Sequence, residues 1–313
     1  MSRYVITGGA GFIGSNLAEA ILANGDAVVI LDNFATGKPE NIAHITDRVT
    51  LIEGSVTDPD ACACAAHNAD YILHQAALAS VPRSVADPVA TNEANIVGTL
   101  NMLVAARDAH VKRFVYAASS SAYGDAPVPV KTEDLPPAPL SPYAIQKYTG
   151  ELYCKAFHDL YGLQTIALRY FNVFGPRQDP KSQYAAVVPL FVTTILAGQS
   201  PTIYGDGEQA RDFTYIENVV QANLCACAAP SAAAGHVFNT ACGAQTSVND
   251  LAKMIMETLD TSVPINYAPP RPGDVKNSLA DVAKAKQLLS YEPTVPFRQG
   301  LQRAIEWYSG RGA

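Results

Sequence analysis

An apolar run at 3–7 leads into glycines and then an amphipathic stretch, and the chain repeats this alternation. Runs of strand length lie at 3–7, 27–32, 49–53, 71–75, 113–119 and 164–170, several with little polar alternation, as strands buried on both faces require. Between them the apolar spacing predicts helices over 11–24, 59–66 behind Asp58 as a cap, 87–109 and 143–161. Strand, helix, strand in repetition predicts an α/β fold, a doubly wound parallel sheet covered by helices on both faces. After Phe171 the rhythm changes. Pro, Gly and aromatic residues crowd 175–184 and 264–274, and helices are predicted at 187–197, 219–229, 248–259, 282–289 and 298–308. The division read from this is a first domain over 1–170, to which some later chain returns, and a smaller lobe over 171–313 folded onto the carboxyl edge of the sheet.

Composition narrows the class. Hydrophobic residues make up 48% and charged residues 16%, and the 21 Gly and 21 Pro follow no repeat, which excludes disordered, collagenous and coiled-coil chains. With 29 acidic against 22 basic side chains the net charge is -7, and no Lys/Arg cluster is present to track a phosphate backbone, so nucleic acid is not an expected partner. The opening apolar run is too short for a signal peptide, and no stretch reaches the roughly 18 apolar residues of a membrane span, so a soluble, cytoplasmic protein without a membrane partner is expected. The pairs Cys62/Cys64 and Cys225/Cys227 fall in helical segments, where positions two apart face different ways; buried thiols are expected there, with no metal site and no disulfide framework.

Two constellations carry chemistry. Gly8, Gly11 and Gly14 stand between the first strand and the first helix, a spacing suited to a tight turn, close approach of a pyrophosphate and close helix–strand packing. Asp32 ends the second strand about 20 residues on, where a carboxylate accepts ribose hydroxyls and repels a 2'-phosphate, so the expected cofactor is NAD rather than NADP. In the second constellation Tyr143 and Lys147, four apart, share a helical face, and the ammonium, with an oxidised nicotinamide ring nearby, is expected to bring the phenol toward neutrality as a general base. Ser119, Ser120 and Ser121 end a strand at the carboxyl edge of the sheet, where ligands of such folds bind. Arg211 and Arg271, both in Gly-rich surroundings, suit a diphosphate, and Asn172 follows a strand end with an amide able to donate to a phosphate or sugar oxygen.

These residues, with His74-Gln75-Ala76-Ala77, Asn95 to Thr99, Ser119 to Gly124, Ser141 to Lys147, Arg169 to Pro176, Arg211-Asp212-Phe213 and Arg271 to Asp274, resemble the extended short-chain dehydrogenase/reductase family over nearly the whole chain. Within it the chain resembles the nucleotide-sugar 4-epimerases. It is most similar to those acting on UDP-N-acetylglucosamine, through Leu78 to Ser84, Arg177 to Pro180, Tyr184 to Pro189 and Asn277 to Asp281. The resemblance implies a Rossmann-type first domain and a UDP-sugar-binding second lobe. It places the base on Tyr143 and its partner on Lys147, and the hydroxyl at the sugar O4 on Ser119, with Ser120 the close second candidate. The implied cofactor contacts are Gly8, Gly11, Phe12, Ile13, Gly14, Asp32, Asn33, Ser55, Val56, Gln75, Ala76, Ala77 and Asn95, with Tyr143 and Lys147. The implied substrate contacts are Ser84, Ser121, Tyr170, Asn172, Val188, Tyr204, Arg211, Arg271, Asp274 and Ser278. One departure stands out: Ser55 follows Gly54 where the family usually has an aspartate beside the adenine.

The implied activity is epimerisation by transient oxidation at C4 of a UDP-N-acetylhexosamine, with weaker action on UDP-glucose and UDP-galactose, because Ser278 falls where a bulky Tyr restricts related enzymes to the unacetylated sugars. A 4,6-dehydratase would need an Asp-Glu pair where Ser120 and Ser121 stand. A UDP-glucose 4-epimerase, a UDP-glucuronate epimerase or decarboxylase, and a non-catalytic NAD-sensing protein are the alternatives. The family also suggests a homodimer through helices 87–109 and 143–161.

Overall fold

The computed structural model describes residues 1–180, 186–270 and 277–310. Seven parallel strands form the central sheet: β1 Arg3–Thr7, β2 Ala27–Asp32, β3 Thr50–Glu53, β4 Tyr71–His74, β5 Arg113–Ser119, β6 Thr165–Tyr170 and β7 His236–Thr240, in the spatial order 3-2-1-4-5-6-7. The order reverses between β1 and β4, and the crevice outside the carboxyl ends of those two strands is where such sheets bind ligands.

Five of these strands carry mostly apolar side chains because both faces are covered. Helices α1 Phe12–Ala23 and, from the second half of the chain, Ile216–Ala228 cover one face, where Ile6, Leu17, Ile30, Val115 and Phe238 pack in one core. Helices α2 Pro59–Ala66, Gly98–Asp108 and Pro142–Tyr161 cover the other, over Val5, Val29, Ile72, Phe114 and Ala167. Burial of such side chains at about 25 cal/mol per Å² of apolar surface is the main force holding the layers together. The expected helix 87–109 is helical from Pro88 to Asp108 but is not regular. It starts at Pro88–Asn92 behind Asp87, widens to a π-turn over Glu93–Val97, and resumes as Gly98–Asp108, and the widened turn carries Asn95 inward.

The second half does not stand apart. It contributes β7 to the sheet edge and Ile216–Ala228 to its face, then builds short pairings over the carboxyl edge, among them Ala210–Arg211 with Asn277–Ser278. No helix among the described residues is long and apolar enough to cross a membrane.

Candidate active site

The turn between β1 and α1 has the form a dinucleotide needs. Gly8 holds φ +68, and a Cβ on Gly14 would lie 2.2 Å from the Gly8 carbonyl oxygen, so helix and turn pack closer than any side chain allows. Gly11 caps α1 with no side chain taking the first N–H groups and no acidic residue in the first turn, which leaves those donors for a phosphate. A cleft of about 360 Å³ opens over this turn, lined by Gly8, Gly11, Phe12, Ile13, Gly14, Asp32, Asn33, Ser55, Val56, Gln75, Ala76 and Ala77. Asp32 is almost wholly buried at the end of β2. Its carboxylate accepts the Ala10 and Phe34 N–H groups, each at 2.8 Å, which orient it on the cleft wall. The residues therefore fit NAD. Ser55, at the departure from the family pattern, turns its hydroxyl into a local bend, 2.8 Å from Thr57 Oγ1.

Tyr143 is the second residue of the helix Pro142–Tyr161. Its phenol faces Ser119 at the end of β5, whose hydroxyl favours the ionised phenol. Ser119 Oγ accepts both the N–H of Ser121, at 3.2 Å, and the Ser121 hydroxyl, at 2.9 Å, which leaves its own proton for Tyr143 or for a reacting oxygen. Lys147, one turn on, is 4% exposed; its ammonium donates to the Ala117 carbonyl at 2.8 Å and lies over the Tyr116 ring. Burial pulls that ammonium down to about 8 and pushes the Tyr143 phenol up from its ordinary value, the Ser119 hydroxyl acting in the opposite sense. The lysine by itself does not bring the phenol toward neutrality; the expectation rests on the ammonium acting together with an oxidised nicotinamide ring. The ammonium is turned to a strand carbonyl, and desolvation outweighs its neighbouring charge.

Beyond Ser119 lies a second cavity of about 490 Å³, lined among others by Ser119, Ser120, Ser121, Tyr170, Asn172, Arg211 and Ser278. A third, of about 190 Å³, is lined by Tyr204, Gln209, Phe191 and Val187, and also by Asn172 and Arg211. The last two residues thus stand where the cavities meet, which suits a diphosphate joining two different groups. Asn172 takes a φ of +35, a left-handed conformation that asparagine tolerates, and its side-chain amide donates to the Asp212 carbonyl at 3.2 Å. Tyr170 reaches Gln75 and Asn223 with its hydroxyl, at 3.2 and 2.8 Å, so Gln75 ties the cofactor cleft to the sugar cavity.

Three expected contacts take other places. Ser84 is fully buried, and its hydroxyl accepts the Tyr143 N–H instead of lining the cavity. Asn95 is 1% exposed and grips the Leu78 N–H at 2.8 Å and Gln146 Oε1 at 2.8 Å; it shapes the loop beside the cleft rather than the cleft wall. Val188 points into the core beside Phe191 and Val192, while its neighbour Val187, about 100° round the same helix, lines the smallest cavity. Arg271, Asp274 and Tyr184 lie outside the described residues.

Some residues of the site escape sequence reasoning. Val81, Val85, Tyr123, Lys131 and Leu140 also wall the larger cavity; the Lys131 ammonium is taken up by the carbonyls of Ala126 and Val128. Asp212 is fully buried and its carboxylate accepts the N–H groups of Cys242 and Gly243 at 2.9 and 3.0 Å, while burial pushes it up to about 6. It knots the segment of Arg211 to the turn after β7. The only signal for it is an acid placed between Arg211 and Phe213.

The comparisons with known proteins agree with this geometry. The pattern describing the NAD dependent epimerase/dehydratase family matches residues 4–241. A UDP-N-acetylglucosamine 4-epimerase from Methanobrevibacter ruminantium M1, solved in complex with UDP-N-acetylmuramic acid, is 40% identical, with 99% of each chain covered and a TM-score of 0.94. The structure of a UDP-glucose 4-epimerase with UDP-glucose from Thermotoga maritima is 38% identical over 98% of this chain and 99% of that one, with a TM-score of 0.91. A UDP-glucose 4-epimerase of Mycolicibacterium smegmatis is 36% identical, with 99% of each chain covered. A glycine turn that leaves an uncapped helix for phosphate, an acid at the ribose position and a Tyr–Ser pair at the carboxyl edge, matched along nearly the whole chain, make this protein a member of the NAD dependent epimerase/dehydratase family.

Proposed function

We infer that the protein interconverts the C4 epimers of a UDP-N-acetylhexosamine, UDP-N-acetylglucosamine and UDP-N-acetylgalactosamine, and acts more weakly on UDP-glucose and UDP-galactose. The observation that carries the choice of sugar is Ser278. It lines the larger cavity and pairs in register with Arg211, with its carbonyl accepting the Asp212 N–H at 2.8 Å, so a small side chain is held beside the diphosphate position. A 2-acetamido group adds several heavy atoms to the sugar, and a wall built of serine leaves room for them.

Gly8, Gly11, Gly14 and Asp32 would hold NAD, which when bound supplies a hydride acceptor and donor for a sugar carbon. The protein's residues do the rest. Tyr143 takes the proton of the sugar O4 hydroxyl as that carbon is oxidised and returns it on re-reduction, while the Ser119 hydroxyl donates to the same oxygen. Asn172 and Arg211 hold the diphosphate and Tyr204 lines the pocket for the uracil, so affinity resides away from the sugar, which is free to present either face. The lobe over 171–313 is in this reading mainly the UDP-sugar side of the enzyme and 1–170 mainly the NAD side.

Incubation with each of the four UDP-sugars, with products read by NMR, tests the assignment. Ser278→Tyr is expected to suppress conversion of the acetamido sugars by about 10²-fold while sparing UDP-galactose. Efficient conversion of UDP-galactose by the unaltered protein with UDP-N-acetylgalactosamine untouched would refute the choice of sugar.

The working unit in this reading is a homodimer. Val89, Ile145 and Leu152, on the packed helices Pro88–Asn92 and Pro142–Tyr161, are 71%, 51% and 51% exposed, an apolar face that a second copy of the chain would cover. Light scattering at micromolar protein is expected to give twice the chain mass; a single-chain mass overturns the dimer.

A further inference from the structure

The first turn of the helix Pro142–Tyr161 has every backbone donor accounted for, and one of the acceptors comes from another element. Ser141 is the cap, and Pro142 after it has no N–H to satisfy. The Ala144 N–H goes to the Ser141 hydroxyl at 3.2 Å and the Ile145 N–H to the Ser141 carbonyl at 3.0 Å. The remaining donor is the N–H of Tyr143, which neither of these reaches. It is taken by Ser84 Oγ at 3.0 Å.

Ser84 is itself fixed. It lies in the short helix Val81–Ala86, is fully buried, and donates its own proton to the Val81 carbonyl at 2.7 Å, which aims a lone pair at Tyr143. The same short helix puts Val81 and Val85 on the wall of the larger cavity. A single hydroxyl therefore joins the cavity wall to the backbone of the residue that reacts, and it does so at the end of the helix, where fraying is otherwise easiest.

We propose that Ser84 is a positioning residue, which holds the Tyr143 backbone against the wall of the sugar cavity and so sets the reach of the phenol to Ser119 and substrate. This rests on the reading of Tyr143 as the base. Loss of the hydroxyl frees the first turn, and small displacements of a reacting group are costly in rate even where binding survives. A hydroxyl that instead touched substrate would act on affinity.

The test compares Ser84→Ala and Ser84→Thr with the unaltered protein, in steady-state epimerisation and in residue-resolved amide hydrogen exchange of the Tyr143 N–H. The alanine variant is expected to lose about tenfold in kcat with KM within about twofold, and its Tyr143 amide to exchange about tenfold faster. The threonine variant, which keeps the acceptor, is expected to recover most of both. A raised KM at unchanged kcat would make Ser84 a substrate contact and overturn the proposal. Unchanged protection of the Tyr143 amide in the alanine variant would overturn it as well. Should the unaltered protein turn over no UDP-sugar, the function proposed above fails, while the exchange measurement still decides whether the tether exists.

Discussion

Tyr143→Phe lowers turnover by about 10² to 10⁴, the usual worth of a positioned general base, while UDP-sugar affinity stays within a few-fold. The ring keeps its volume, so the surrounding structure has no reason to move; only the phenol oxygen facing Ser119 is gone. Affinity survives because the residues expected to hold the nucleotide, Asn172, Arg211 and Tyr204, line other parts of the joined cavities. Burial pushes the phenol up, so the rate in the unaltered protein climbs with pH as the phenol loses its proton, and the phenylalanine variant loses that rising limb. Steady-state rates across pH together with calorimetric binding of the UDP-sugar check this. Activity within a few-fold of the unaltered protein would remove Tyr143 from the chemistry.

Glu151→Gln destabilises the fold by about 3–5 kcal/mol, the cost of leaving one member of a buried ion pair without the other. Glu151 sits on the helix that carries Tyr143 and Lys147, and its carboxylate takes the Arg169 guanidinium from β6 in a two-pronged contact, at 2.9 and 2.7 Å. The two side chains are only 2% and 3% exposed, so water cannot replace the lost charge, and the guanidinium stays pressed on the Tyr123 ring, 4.5 Å from its centre. Denaturant midpoints at constant slope measure the loss. A change under about 1 kcal/mol would mean that the pair is hydrated in solution, since exposed pairs contribute no more than that. The two variants separate chemistry from scaffold: Tyr143→Phe spares the midpoint, whereas Glu151→Gln spares the protonation chemistry in the molecules that remain folded.

Much of the fold is legible along the chain because each inner strand is an apolar run bounded by turn residues. The run 113–119 coincides with β5, and 59–66 coincides with a helix whose cap, Asp58, accepts the Asp60 N–H. The strand His236–Thr240 is not legible in this way. It is the edge of the sheet, begins with an exposed histidine and ends in Asn239 and Thr240, and so presents no run to read. The short helix Val81–Ala86 is equally hidden, since two turns of chain are too few for a period to establish itself.

At the site the sequence by itself determined which reactive groups are on offer: the glycine turn, Asp32, the Tyr143 and Lys147 spacing and the serines at the end of β5 are local patterns whose residue types can be read without knowing what lies opposite. Tertiary structure alone decided partnership and direction. Lys147 shares a helical face with Tyr143, yet its ammonium is drawn to the Ala117 carbonyl, a group 30 positions away in the chain. Ser84 and Asn95 belong to helical segments flanking the site, and only the packing of those segments turns their polar groups onto the Tyr143 and Leu78 backbones instead of into the cavities. The reason is physical: a buried hydrogen-bonding group must find a partner, and which partner is nearest depends on how distant segments pack rather than on spacing along the chain.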